Sequence, residues 1–189
     1  KYVGGHSDLM LGAVVVKGEE LGNRIDKNQY ALGYSVSADD AWLAIRGVRT
    51  LPIRMQQHAE SALKVCDFLA GLEATQAIYH PAYHGDKYHD LWQRDCKGSN
   101  GLLSVELKGS LEQARAFVNA LEIFYIGYSW GGFESLVQWV RPEYLHNHSY
   151  TSKAIRNGES QVVRLHVGLE SADDLIADLQ QAYDNAYGV

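Results

Sequence analysis

The sequence predicts an α/β fold in which helices pack on an open sheet. Segments with an apolar residue at every second position alternate with segments whose apolar residues recur every three or four positions. Such alternation of strand and helix patterns is typical of one sheet covered by helices. The chain has 189 residues, with 46% apolar and 21% charged residues, which suffices for a complete hydrophobic core.

Composition excludes several classes of protein. The net charge is −6 and no basic stripe is present, which argues against a nucleic-acid partner. No run approaches the roughly 20 apolar residues that a membrane-spanning helix needs, so no membrane partner is expected. Cys66 and Cys96 are the only cysteines, too few for a disulfide framework. We therefore expect a reduced, cytoplasmic setting.

The first quarter of the chain contains one predicted strand and two predicted helices. The β-branched run at residues 11–16 predicts a buried strand. Residues 19–35 are predicted to form a helix that is polar on one side. Asp39 and Asp40 are expected to cap a short helix that Gly47 interrupts.

The clearest helical pattern spans residues 50–72. Its apolar stripe has gaps of three and four and comprises Leu51, Met55, Ala59, Ala62, Leu63, Cys66, Leu69 and Ala70. Pro52 lies in the first turn, where its missing N–H is tolerated. A helix of this length could bridge two domains, so we place a boundary near Arg49, between residues 1–49 and 50–189.

Further along, strand and helix patterns alternate. Strands are predicted at residues 77–80, 103–107, 123–128 and 162–167, and a partly helical polar segment at 84–95. Ser110 with Gln113 forms a capping box for a helix that reaches residue 121, and Ser171 with Asp174 caps the last helix. The polar, weakly patterned residues 147–160 are expected to form a loop.

The chain opens with Lys1-Tyr2-Val3-Gly4-Gly5-His6-Ser7, a lysine on a glycine-rich turn. Such a turn can hold an amine rigidly beside a ligand, because glycine adopts positive φ and admits close neighbours. A lysine attacks a carbonyl only as the neutral amine, so this role requires a lowered pKa. From composition alone, a solvated surface lysine is the commoner outcome.

The same stretch resembles the lysine signature of the Cys/Met-metabolism family of pyridoxal phosphate (PLP) enzymes, and every position matches. The resemblance implies that Lys1 binds PLP covalently. It also implies a type I, aspartate aminotransferase-like fold: residues 1–49 would end the PLP-binding domain, and residues 50–189 would form a C-terminal α/β domain with a mainly antiparallel sheet. Family members continue for a similar length before this lysine, so the chain is expected to be a C-terminal half that requires the N-terminal half of the same enzyme. Family members are usually tetramers.

A second motif is Tyr128-Ser129-Trp130-Gly131-Gly132-Phe133-Glu134-Ser135-Leu136. From the residues alone, a core tryptophan over a β-turn is the more economical interpretation. The family has Ser-x-Gly-Gly-x-Glu-Ser-Leu here. Its bacterial β-lyase branch has Tyr-Ser-Trp, whereas its γ-synthase and γ-lyase branches typically have leucine instead of tryptophan. The resemblance thus implies that Tyr128, Ser129 and Trp130 line a substrate pocket, although Phe133 stands where tyrosine is also found.

A third motif runs from Val163 to Glu170. Its alternation predicts that Arg164 and His166 face away from the apolar side of a strand. A guanidinium on a rigid strand is suited to a bidentate hold on a carboxylate, although a surface ion pair is the commoner fate of an arginine. The family motif Arg-Leu-x-x-Gly-Leu-Glu implies that Arg164 binds the substrate α-carboxylate. His166 receives no functional role.

Residues 46–51, with Arg54 and His58 beyond them, also match the family. Their expected role is structural, at the junction of the two predicted domains, although Arg49 could reach the cofactor side.

The histidines at 80, 84 and 89, with Asp86 and Asp90, could suggest a metal site. Their spacing fits no compact zinc pattern, so a solvated loop is predicted, with no metal. His146 and His148 are interpreted in the same way.

The resemblance implies α,β-elimination from L-cystathionine, an amino-acid substrate, giving homocysteine, pyruvate and ammonia in methionine biosynthesis. Two alternatives remain open. One is a γ-synthase or γ-lyase activity of the same family. The other is a non-catalytic C-terminal fragment that packs against partner chains.

Overall fold

The computed structural model describes residues 1–145 and 151–188. Its centre is a five-stranded sheet in the order β1-β2-β5-β4-β3. All neighbouring strands are antiparallel except β3 and β4, which are parallel. The predicted α/β class with a mainly antiparallel sheet is therefore confirmed. The strands are β1 (Thr75–Tyr79), β2 (Leu102–Lys108), β3 (Tyr125–Ile126), β4 (Leu136–Val140) and β5 (Ser160–His166).

Three helices cover one face of this sheet and enclose the core. The helices are α1 (Glu19–Leu32), α2 (Ala38–Val48), α3 (Leu51–Ala70), α4 (His89–Asp95), α5 (Leu111–Ala120), α6 (Lys153–Asn157) and α7 (Ala172–Tyr187). Those that build the core are α3, α5 and α7. Their apolar stripes meet the inward side chains of β2 and β5, such as Val105, Val163 and Leu165, all fully buried. The alternation seen in the sequence therefore places one side of β5 in the core.

The capping signals predicted at Ser110 and Ser171 are confirmed. The hydroxyl of Ser110 accepts a hydrogen bond from the backbone N–H of Gln113, whose side chain in turn accepts from the backbone N–H of Ser110. Ser171 accepts from Asp174 in the same manner at the start of α7. The long helix predicted at 50–72 runs from Leu51 to Ala70, with the proline in its first turn. Local side-chain hydrogen bonds therefore set the starts of α5 and α7.

The N-terminal segment departs from prediction. Residues 11–16 are not a strand, and the nearby side chains of Met10, Val14 and Val15 are 84%, 75% and 94% exposed. A strand forms only where a neighbour takes up its backbone hydrogen bonds, and the part of the chain that the structure describes offers this run none. The following helix, α1, ends at Gly33 in the left-handed conformation and contains no buried residue.

The start and end of α2 also differ. The hydroxyl of Ser37, rather than Asp39 or Asp40, caps the helix by accepting from the N–H of Asp40. The helix continues through Gly47, which is buried against the carbonyl oxygens of Val3 and Gly4. A Cβ at this position would overlap that backbone, so a glycine is required for close approach.

Three elements in the C-terminal part were not predicted, namely β4, a 3₁₀ turn at Pro142–Tyr144 and the short helix α6. Helix α6 lies within the predicted loop 147–160, of which residues 147–150 fall outside the described residues. The predicted strand 123–128 is reduced to Tyr125–Ile126. The carboxylate of Asp178 accepts hydrogen bonds from the backbone N–H groups of residues 122–124. These bonds hold the segment just before β3 in a turn.

The remaining structural findings concern the membrane and the cysteines. In the described residues, no helix is long and apolar enough to cross a bilayer. Both thiols are free; Cys66 is buried, which raises its pKa to about 12, and Cys96 is exposed. The boundary between residues 1–49 and 50–189 stays a prediction.

Candidate active site at the first residue

The backbone around Lys1 is fixed by a turn and by an arginine of α3. The N–H of Gly5 donates to the carbonyl of Lys1 at 2.7 Å. The buried guanidinium of Arg54 donates to the carbonyls of Tyr2 (2.7 Å), Val3 (3.1 Å) and Gly47 (2.8 Å). Because these acceptors belong to two segments, Arg54 ties the first turn to α2 and α3, in agreement with its expected structural role.

The ε-amine of Lys1 lies between a hydroxyl and a carboxylate. Nζ donates to Ser129 Oγ at 2.8 Å and lies 3.5 Å from Glu134 Oε1, and the lysine side chain is only 10% exposed. The other oxygen of Glu134 accepts from the hydroxyl of Ser7. Burial raises the pKa of Glu134, but the hydrogen bonds from Ser7 and from the backbone N–H of Glu134, together with the charge of Lys1, outweigh burial and lower the pKa. The amine is therefore held between the polar side chains of Ser129 and Glu134 and is largely shielded from water.

A cavity of about 480 Å³ opens beside this amine, lined by Lys1, Met10, Leu11, Gly12, Tyr128, Ser129 and Trp130. Trp130 contributes an aromatic wall and is itself 45% exposed. Its ring centroid is 6.0 Å from that of Tyr2, the residue next to the lysine. The structure thus brings together four residues that the sequence singled out: Lys1, Tyr128, Ser129 and Trp130.

Arg164 lies at a neighbouring cavity rather than on the wall of this one. It projects from β5 on the sheet face opposite the helices, where it lines a space of about 470 Å³ with Ser104 and Gln138 on either side. Its Nη2 donates to the carbonyl of Tyr128 at 2.6 Å, and its Cζ is 5.2 Å from the centroid of the Tyr128 ring. Tyr128 borders both cavities and joins Arg164 to the lysine site.

The second and third motifs are clasped together by a buried serine and a glutamate. Ser135 donates its N–H and its hydroxyl to the two carboxylate oxygens of Glu170, both at 2.7 Å. The same hydroxyl accepts the N–H of Gly168 at 2.8 Å. This clasp fixes the strand that carries Arg164 relative to the segment that carries Ser129 and Trp130.

Sequence reasoning missed a ring cluster behind the site, consisting of Tyr2, His58 and His166. His58 and His166 are buried, and each ring packs near the ring of Tyr2. The alternation in β5 correctly predicted that His166 faces away from the core. The alternation did not predict that the turn at the start of the chain covers the ring of His166. Glu134 and Ser7 were also missed as partners of the lysine, although both lie inside the quoted motifs.

Other expected positions have different roles. Arg49 is exposed at the end of α2. Asp86 accepts the backbone N–H groups of His80 and Tyr88, and His80 Nδ1 lies 3.0 Å from the carbonyl of Leu102. Among residues 1–145 and 151–188, no group of three or more potential ligands could hold a metal ion. His146 and His148 lie outside the described residues.

Comparison with known proteins gives a consistent result. The profile of the family described as Cys/Met metabolism PLP-dependent enzyme matches residues 1–184. A cystathionine beta-lyase of Bordetella avium is 61% identical over 186 residues, which are 98% of this chain and 46% of that protein. The cystathionine beta-lyase MetC of Escherichia coli (strain K12) is 41% identical, over 97% of this chain and 46% of its own.

A solved structure shows the same fold. A cystathionine gamma synthase from Xanthomonas oryzae pv. oryzae, in complex with aminoacrylate and cysteine, superposes with a TM-score of 0.84 at 36% identity. The match covers 100% of this chain and 49% of the other. The chain therefore spans about half the length of the relatives it matches.

Proposed function

Because the chain belongs to the Cys/Met-metabolism family of PLP-dependent enzymes, we propose that it carries the lysine-bearing part of a cystathionine β-lyase. The reaction is α,β-elimination from L-cystathionine, with homocysteine, pyruvate and ammonia as products. Support comes from the beta-lyases among its relatives and from Trp130, which matches the β-lyase form of the second motif.

One observation carries the proposal, namely the shielded amine of Lys1 at the wall of a cavity. A primary amine that is 10% exposed, hydrogen-bonded to Ser129 and next to an aromatic wall is suited to hold a carbonyl compound. Surface lysines, by contrast, extend their amines into water. The setting of Lys1 therefore favours a chemical role over a solvating one.

The donor set fits pyridoxal phosphate as the cofactor. Lys1 would bind its aldehyde, and Trp130, Tyr128 and the apolar side chains of Met10 and Leu11 would enclose an aromatic ring. When bound, this cofactor supplies an electron sink for the negative charge that develops at the substrate Cα.

The residues of this chain then have distinct roles. Lys1, released by the substrate amine, would take the proton from Cα and return one to the leaving sulfur. Ser129 would hold the lysine nitrogen in position through their hydrogen bond. Arg164 donates one N–H to Tyr128, and its remaining N–H groups, which bond to no other described residue, would bind the substrate α-carboxylate. Trp130 and Tyr128 would shape the space around the substrate.

The proposal includes further polypeptide beside this chain. The exposed apolar side chains at Met10, Val14 and Val15, and the helix α1 with no buried residue, are surfaces that an N-terminal half of the same enzyme would cover. We place the enzyme in the cytoplasm as a homotetramer, following the family resemblance.

The test uses the intact protein with pyridoxal phosphate. Borohydride reduction, followed by digestion and mass spectrometry, is expected to place the cofactor on the Lys1 peptide, and L-cystathionine is expected to yield pyruvate. The variant Lys17→Ala, which changes an exposed lysine, serves as the control and should behave as wild type. Modification elsewhere, or no pyruvate, would overturn the proposal.

A second candidate is γ-chemistry within the same family. It is favoured by the close superposition on a cystathionine gamma synthase. The two differ in product, because cleavage one carbon further out gives 2-oxobutyrate instead of pyruvate. Product analysis of the same reaction mixture therefore decides between them.

A further inference from the structure

A buried histidine supports the glycine turn beside the candidate site. His166 is 1% exposed, and its Nε2 lies 3.0 Å from the backbone nitrogen of Gly131 and 3.2 Å from the carbonyl oxygen of Gly132. Gly131 has φ +87°, a conformation that glycine adopts freely and residues with a side chain rarely do, so the turn requires a glycine at this position. The turn directly follows Ser129 and Trp130, whose positions it therefore controls.

The shorter of the two contacts of Nε2 is taken to assign the proton on this ring. The N–H of Gly131 at 3.0 Å requires Nε2 to accept, which places the ring proton on Nδ1, whereas the carbonyl of Gly132 at 3.2 Å would require the other tautomer. His58 carries its proton on the same ring nitrogen, since its Nδ1 lies 2.8 Å from the carbonyl of Val167 and must donate. Within the described residues, Nδ1 of His166 and Nε2 of His58 are both buried without a hydrogen-bond partner. The first is a donor and the second an acceptor, and the two ring centroids are 5.4 Å apart.

The same ring also contacts the lysine side of the site. The ring of Tyr2 stands edge-on to His166, with centroids 5.9 Å apart at 73°, and edge-on to His58 at 5.3 Å. Tyr2 follows Lys1 directly, and its hydroxyl accepts the N–H of Gly101 at 3.1 Å. His166 therefore contacts Tyr2, which directly follows Lys1, and Gly131, which lies two positions after Ser129.

We propose that His166 is a positioning residue that sets the Lys1 amine against Ser129 and Trp130, by accepting from the Gly131 N–H and packing against Tyr2. This inference rests on the proposed lyase function for its kinetic consequence, but its geometric consequence is independent of it. Burial lowers the pKa of His166 to about 4, which keeps the ring neutral and able to accept.

Two substitutions separate the hydrogen bond from simple packing. His166→Gln keeps an acceptor near the position of Nε2, whereas His166→Leu fills the space without one. The matched control is His80→Leu, because His80 is also a buried histidine with an unpartnered Nε2, but it bonds Leu102 outside the ring cluster. The control reports the general cost of losing a buried histidine.

The first measurement requires no activity. The intact protein, freed of any bound cofactor, is labelled with an amine-reactive reagent, and the rate at the Lys1 ε-amine is compared with that at exposed Lys17 by mass spectrometry. His166→Leu is expected to raise the Lys1 rate at least about threefold relative to Lys17, because the amine loses its fixed acceptor. His166→Gln and His80→Leu are expected to leave the ratio unchanged.

The second measurement follows cystathionine cleavage by the cofactor-loaded enzyme. His166→Leu is expected to lower kcat about 10- to 100-fold with KM within threefold, since Arg164 still holds the substrate. His166→Gln should retain kcat within about threefold. His80→Leu should do the same, at a loss of Tm similar to that of His166→Leu.

Two outcomes overturn the inference. One is an unchanged Lys1 labelling ratio in His166→Leu, and the other is an equal loss of kcat in the His166→Leu and His166→Gln variants. Absence of pyruvate from wild type overturns the proposed function instead, and the labelling result then decides the role of His166 alone.

Discussion

The ε-amine of Lys1 lies 2.8 Å from the hydroxyl of Ser129, although 128 positions separate the two residues in the chain. The contact depends on Arg54, which anchors the first turn, and on the Ser135–Glu170 clasp, which anchors the serine segment. Two distant parts of the sequence are therefore held in register by buried hydrogen bonds. The same contact provides the first prediction.

Ser129→Ala removes the acceptor of the lysine amine. A hydrogen bond to a charged or reacting group contributes about 1.5–3 kcal/mol, so we expect kcat/KM for cystathionine cleavage to fall at least about tenfold. Covalent capture of pyridoxal phosphate at Lys1 should persist, since the lysine itself remains. The control is Ser35→Ala, at an exposed serine between α1 and α2. A Ser129→Ala enzyme with wild-type kcat/KM would show that this contact has no part in the reaction.

Arg164→Lys tests the proposed carboxylate site. A lysine keeps the charge but loses the planar pair of N–H donors, so we expect KM to rise about tenfold or more with a smaller change in kcat. Steady-state kinetics with L-cystathionine provide the measurement. Arg94→Lys, at an exposed arginine paired with its neighbour Asp95, is the control and should leave KM unchanged. A selective fall in kcat at unchanged KM would contradict the assignment.

Gly5→Ala tests the turn that carries Lys1. Gly5 has φ +77°, and an added Cβ would overlap the guanidinium of Arg54. Gly33 has a similar φ of +71° with open space around it, so Gly33→Ala reports the backbone strain alone. We expect Gly33→Ala to cost about 1 kcal/mol of unfolding free energy and Gly5→Ala about 3 kcal/mol, measured by denaturant titration. Equal costs in the two variants would indicate that Arg54 moves away freely.

The pH dependence of stability should report His166. Its pKa is about 4 in the folded protein, because burial and the charges of His58 and Lys1 outweigh the opposing effects of Gly132 and Glu134. An unfolded histidine has a pKa of about 6.5. Above about pH 6.5 the ring is neutral in both states, and its contribution to stability is fully present. Between about pH 6.5 and 4 the unfolded chain binds the proton first, so stability falls, by about 3 kcal/mol in total. Below about pH 4 the loss levels off.

The variant His166→Gln isolates this effect, since burial also lowers the pKa of His58 and His80. Denaturant titrations of wild type and variant at several pH values between 4 and 7 give the two slopes. We expect the wild type to lose more stability per pH unit than the variant, by up to about 1.4 kcal/mol. Parallel slopes would mean that His166 titrates normally in the folded chain.

Local signals in the sequence predicted much of the fold. Capping residues such as Ser110 and Ser171 mark helix starts by bonding N–H groups three residues away, so their effect can be read over a few positions. The stripe of the long helix and the alternation of β5 are equally short-range patterns. The strand predicted at residues 11–16 was wrong because a strand needs a partner strand for its backbone hydrogen bonds, and a local pattern does not show whether one is present. β4 was missed for the related reason that pairing with β5 defines it.

The sequence by itself determined the starts of α5 and α7, the buried face of β5 and the motifs that identify the family, because each rests on neighbouring side chains. Only the tertiary structure decided that Ser129 meets the Lys1 amine, that Arg164 lies at a neighbouring cavity joined by Tyr128, and that His166 is buried behind the glycine turn. These contacts join residues far apart in the chain. Their geometry depends on strand register and on buried hydrogen bonds such as those of Arg54, which no short stretch of sequence specifies.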